Sequence, residues 1–130
     1  MVGHYILTIA ALVQFALGGA ALFLADEIAE RFLAAAAAGE AFTQLAAAGA
    51  LGFAVVNWMS RANRIGGIYA RPLALGNMLL FTVATAALAR SAFAGLLPPI
   101  AIVLTIVLGG LALAFAWLSF AHDPIGTRSA

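Results

Sequence analysis

Four stretches of this chain, about Tyr5 to Leu24, Phe42 to Met59, Pro72 to Ala89 and Leu97 to Phe120, contain no charged side chain and no histidine. A helix that crosses a bilayer needs roughly 20 mainly apolar residues, and each stretch meets that test. The composition agrees: 65% of the residues are hydrophobic and 8% charged, against about a quarter charged in an ordinary soluble domain. A soluble fold would leave long apolar surfaces in water, which drives association or insertion. The sequence therefore predicts an all-α membrane protein, a four-transmembrane-helix bundle forming a single integral membrane domain over residues 1–130.

The formal net charge is +1, with no lysine, so no basic footprint for nucleic acid exists. Cysteine is absent, which excludes disulfides and thiolate chemistry. The Ala-rich, Lys-free composition suggests a bacterial inner membrane as the location. The first stretch is expected to be a retained helix and not a cleaved leader: Met1-Val2-Gly3-His4 has no Lys or Arg, and the apolar run is long for a signal peptide.

Between the first two spans, Asp26 to Ala38 carries Asp26, Glu27, Glu30 and Arg31 around Ile28 and Phe32. Ile28, Phe32 and Ala35 or Ala36 share one helical face. Two expectations follow from this segment: a short interfacial helix over 26–38, or an early start to the second span. The second connection holds Arg61, Arg64 and Arg71 and no acid. Arginine-bearing short loops stay cytoplasmic, which puts both termini inside. Tyr5, Trp58, Tyr69 and Trp117 would then fall near the cytoplasmic headgroup level, where amphipathic rings are favoured. Arg90 is the one basic residue near the outer end of the third span.

Helices in lipid associate through small residues that let backbones approach. Ala46, Gly49, Ala50, Gly52 and Ala54 in the second span, with Gly110 and Ala114 in the fourth, are the expected packing positions. Leu17-Gly18-Gly19 and Leu108-Gly109-Gly110 echo each other, at a level that chance explains.

Polar residues cluster at the cytoplasmic ends of the second and third spans. Asn57, Ser60, Arg61 and Arg64 are spaced to form one helical stripe. Asn77 lies at a similar shallow depth, so Asn57 and Asn77 are expected to meet, with Arg71 nearby. Gln14 sits alone in the first span and needs a partner. This layer is read either as interhelical hydrogen bonds with arginines reaching headgroups, or as a site for a headgroup, quinone or small anion. Thr82, Thr85 and Thr105 are expected to bond the carbonyl of the preceding turn. His4 and His122 both fall near the expected cytoplasmic face, so a metal or haem bridge between them is geometrically conceivable. Neither sits inside a span with a second ligand at useful spacing, and terminal histidines are expected to be solvated. No metal, cofactor or catalytic residue is expected.

A small multidrug exporter would want a Glu in its first span, and the quinone-linked disulfide enzymes require cysteine. A fluoride channel needs an Asn-Gly pattern other than Gly76-Asn77-Met78-Leu79. None of these fits. Asn57-Trp58-Met59-Ser60-Arg61, followed by Tyr69-Ala70-Arg71-Pro72 and Gly76-Asn77, resembles the middle of uncharacterised small four-span bacterial proteins. That resemblance covers about 20 residues and implies a fold without an activity. The expected role is a non-catalytic accessory or scaffold subunit, whose partners are the lipid bilayer and other membrane subunits or further copies of itself. The alternative is a binder or carrier of a lipid, quinone or other small amphiphile.

Overall fold

The computed structural model of the protein describes residues 2–32, 36–62 and 70–120. Those residues form five helices: α1 (Val2–Phe23), α2 (Ala25–Phe32), α3 (Ala36–Ser60), α4 (Ala70–Phe93) and α5 (Ile100–Phe120). Four of them, α1, α3, α4 and α5, are long and apolar enough to cross a membrane. The chain divides into two compact units, Met1–Ala62 and Asn63–Ala130. Each is a helical hairpin in which long apolar helices pack side by side, α1 on α3 in the first and α4 on α5 in the second.

The first hairpin carries α2 at its bend. Leu24 N donates to Ala20 O and Ile28 N to Leu24 O, both at 2.9 Å, so helical hydrogen bonding runs through the α1–α2 junction with no intervening loop. Ala25 and Ala29 are buried, Ile28 is half-buried, and Asp26, Glu27 and Glu30 are exposed. That division follows from one-turn spacing of the small residues and lets α2 lie against α3. Of the 26–38 segment, residues through Phe32 belong to the short helix α2, and α3 begins at Ala36, ahead of the expected Phe42.

Buried positions on α1 are Gly3, Leu7, Ala10, Ala11, Gln14 and Gly18. On α3 they include Thr43, Ala47, Ala54 and Asn57. Alternating steps of three and four keep a stripe on one face, whereas repeated steps of four rotate it by about 40° each. The seam of α3 therefore runs through Ala47 and Ala54, and Ala46 falls outside it, exposed. Close approach is greatest at Gly18. A Cβ there would stand 2.9 Å from Leu51 Cγ and 3.2 Å from the Ala47 carbonyl oxygen, so only glycine fits without displacement.

The second hairpin turns in a tight cap. Gly95 has φ +71°, a conformation that costs glycine nothing. Gly95 N donates to Ala92 O at 3.0 Å and Leu96 N to Ser91 O at 3.1 Å, the paired bonds of a Schellman termination. Pro98 and Pro99 follow, and their carbonyls accept from Ala101 N and Ile102 N. Proline suits the start of a helix because its missing N–H has no helical partner there. Within this unit Phe81 stacks on Phe115, ring centroids 5.8 Å apart, and both are buried.

Candidate functional site

His4, Gln14, Asn57 and Arg61 lie in the half of the first hairpin where α1 begins and α3 stops. In an antiparallel pair each side chain tilts toward the start of its own helix. Gln14 therefore leans along α1 toward the level of Asn57, and Asn57 leans back along α3 toward Gln14. Asn57 Nδ2 donates to Gln14 Oε1 at 2.8 Å, with the two residues 0% and 2% exposed. Such a contact in a bilayer is worth about 0.6 kcal/mol on average, but leaving either amide bare there would cost several times more. Gln14 thus has the partner its sequence position demanded.

The helical stripe expected to continue through Arg61 stops short. α3 ends at Ser60, which is half-buried, and Arg61 with Ala62 forms a turn. Arg61 folds back: its Nη1 donates to Trp58 O at 2.6 Å, and its guanidinium carbon lies 3.4 Å from the centroid of the Trp58 ring. Helix ends leave carbonyls without intrahelical partners, and Arg61 covers one of them with its own side chain. His4 covers another, its Nδ1 lying 2.8 Å from Arg61 O. A carbonyl can only accept, so Nδ1 carries the hydrogen. His4 also meets Tyr5 edge to face at 5.7 Å. His4 was expected to be solvated; its ring is exposed, yet it ties α1 to the end of α3.

In the second hairpin, Asn77 is fully buried and its Nδ2 donates to Leu73 O at 3.0 Å. Asn57 and Asn77 belong to different units, and their expected meeting stands as a sequence expectation. Arg71 is exposed at the start of α4. Arg64, Tyr69 and His122 lie outside the described residues. Thr105 donates to Ala101 O, as do Thr8, Thr43 and Ser119 to the carbonyl four residues earlier. Thr85 departs from this habit. Its Oγ1 is buried with no partner among the described residues, and its methyl group faces Gly109, where a Cβ would stand 3.4 Å from Thr85 Cγ2.

Of the small residues expected to pack, Ala54 is buried and Ala50 and Ala114 are half-buried, while Ala46, Gly49, Gly52 and Gly110 are exposed. A Cβ placed on Gly49, Gly52 or Gly110 would meet no atom of the partner helix in its own hairpin within 4 Å. Gly18 and Ala47 were not among the expected packing positions, nor was His4 expected to tie two helices. The alternating three and four spacing of Leu7, Ala11, Gln14 and Gly18 was the available signal for Gly18, and nothing in the sequence ties His4 to Arg61.

The described residues hold no group of three or more His, Asp or Glu placed to bind a metal ion. These features define a helical protein with four helices suited to a bilayer and a polar, aromatic-flanked end on its first hairpin. Compared with known proteins, the chain matches no family model, no curated protein and no solved structure.

Proposed function

We propose that the protein is a four-span bacterial inner-membrane subunit, with both termini cytoplasmic, that works by association with other membrane proteins or with further copies of itself and carries no turnover of its own. One observation carries this reading. Three glycines, Gly49 and Gly52 in α3 and Gly110 in α5, are exposed and do not face the partner helix of their own hairpin, so packing inside the hairpins does not account for them. In lipid, such positions allow another helix to approach closely. No span carries an ionisable side chain between the stretches' ends, and intramembrane ionisable groups are the usual mark of pumps and proton-handling enzymes. The Gln14–Asn57 hydrogen bond gives two of the polar residues a structural task.

Gly52→Leu and Gly110→Leu should lower recovery of co-purifying membrane partners, or of a second tagged copy, several-fold, with the amount of inserted protein unchanged. Asp123→Asn should leave recovery as it is. Loss of a measurable activity in Asp123→Asn with no effect of the leucine substitutions would reject the scaffold role. Orientation has its own test. The chain lacks cysteine, so a single introduced thiol reports its own position. Cysteines at Arg64 and Ser129 should label from the cytoplasm and one at Glu30 from outside; labelling of the Glu30 position from the cytoplasmic side overturns the topology.

A further inference from the structure

Charge in the first hairpin is sorted by end. Four acids, Asp26, Glu27, Glu30 and Glu40, and one arginine, Arg31, lie where α1 passes through α2 into α3, so that end is net acidic. At the opposite end the one charged side chain among the described residues is Arg61. It is also unusually constrained for a half-exposed arginine. The Trp58 ring lies against one face of its guanidinium, Nη1 is fixed to Trp58 O, and its main-chain carbonyl is held by His4.

A guanidinium has five N–H donors in a rigid fork. One bond to Trp58 O leaves most of that fork unused, and no carboxylate pairs with Arg61 among the described residues. The fork matches two oxygens of a phosphate, and stacking on an indole removes freedom that such binding would otherwise cost. A helix C-terminus ordinarily repels anions. Here Arg61 covers the Trp58 carbonyl in the last turn of α3 and His4 the Arg61 carbonyl in the turn that follows, which masks part of that negative end. Trp58 is 40% exposed and Tyr5 63%, and such amphipathic rings settle at the headgroup level.

We propose that Arg61, stacked on Trp58 and anchored through His4, is a binding site for the phosphodiester of an anionic phospholipid headgroup. This rests on the membrane reading above. The choline of a zwitterionic lipid would bring a second cation toward Arg61, so the site prefers phosphatidylglycerol to phosphatidylcholine.

The full chain in detergent, exposed to equal amounts of the two lipids and measured by native mass spectrometry, should retain phosphatidylglycerol about tenfold better. Arg61→Gln should reduce that preference to about twofold or less. Arg61→Lys, which keeps charge but not the fork, and Trp58→Leu, which removes the stack, should each cost about threefold. Arg90→Gln, at the far end of α4, should change nothing. Circular dichroism checks that each variant is folded; if Arg61→Gln is not, Arg61→Lys and Trp58→Leu decide. Equal retention of the two lipids by the wild type, or a folded Arg61→Gln that matches Arg90→Gln, overturns the site. Displacement of the lipid by millimolar inorganic phosphate would assign the fork to free phosphate and overturn the lipid assignment. Flotation with phosphatidylcholine vesicles separates the two failures: a chain that does not float refutes the membrane reading, whereas one that floats without lipid preference refutes this site alone.

Discussion

The first hairpin joins α1 to α3 through a glycine notch and an amide pair, while the second joins α4 to α5 through stacked rings. At Gly18 the facing helix comes so near that a Cβ would meet Leu51 Cγ at 2.9 Å; at Gly109 the nearest atom, Thr85 Cγ2, would stand at 3.4 Å, an ordinary contact. The large buried side chains differ in part, Gln14 and Asn57 in one unit, and Phe81 and Phe115 together with Asn77 in the other. Apolar burial gives little drive between helices when the solvent is hydrocarbon. Shape and polar satisfaction then decide the seam, and these two seams represent each option. The echo of Leu-Gly-Gly in α1 and α5 has a structural counterpart in both units: the first glycine faces the partner helix and the second does not.

Gly18→Val should separate the two hairpins most sharply. Overpacking against Leu51 and the Ala47 backbone should cost about 2–3 kcal/mol, measured by reversible unfolding in mixed micelles, while Gly19→Val, one residue away in open space, should cost almost nothing. Equal effects at the two positions would mean that α1 and α3 do not approach as described. Phe115→Ala should rank next, at about 2 kcal/mol: the cavity and lost dispersion remain, but the transfer from water that enlarges such effects in soluble proteins is reduced. The smallest effect belongs to the amides. A double-mutant cycle on Gln14→Ala and Asn57→Ala should give a coupling of about 0.5–1.5 kcal/mol. Strict additivity would show that the 2.8 Å bond contributes nothing to stability.

Much of the architecture could be read before any coordinates. Uninterrupted apolar runs of spanning length place the four long helices to within a few residues, because hydrophobicity summed over twenty residues is a strong signal. Helix ends are set by weaker, local interactions. α3 starts earlier than expected through a run of alanines that favours helix on its own, and α4 extends beyond Ala89 to the Gly95 cap. On α3 the residue buried against the rest of the first hairpin is Ala47 and not its neighbour Ala46, since a repeat of four looks helical in a sequence but drifts around the helix when followed for two turns.

What the sequence determined by itself is the class of element and the balance of charge: four long apolar helices, four acids with one arginine in the first connection and three arginines in the next. These follow from composition along the chain, which needs no knowledge of neighbours. Only the tertiary structure decided that Gln14 pairs with Asn57, that Gly18 and not Gly19 meets α3, and that Arg61 turns back onto Trp58 under the reach of His4. The partners of Gln14, Gly18 and His4 depend on the rotation and depth of one helix against another, and a shift of a single residue, about 100° and 1.5 Å, would replace each of them.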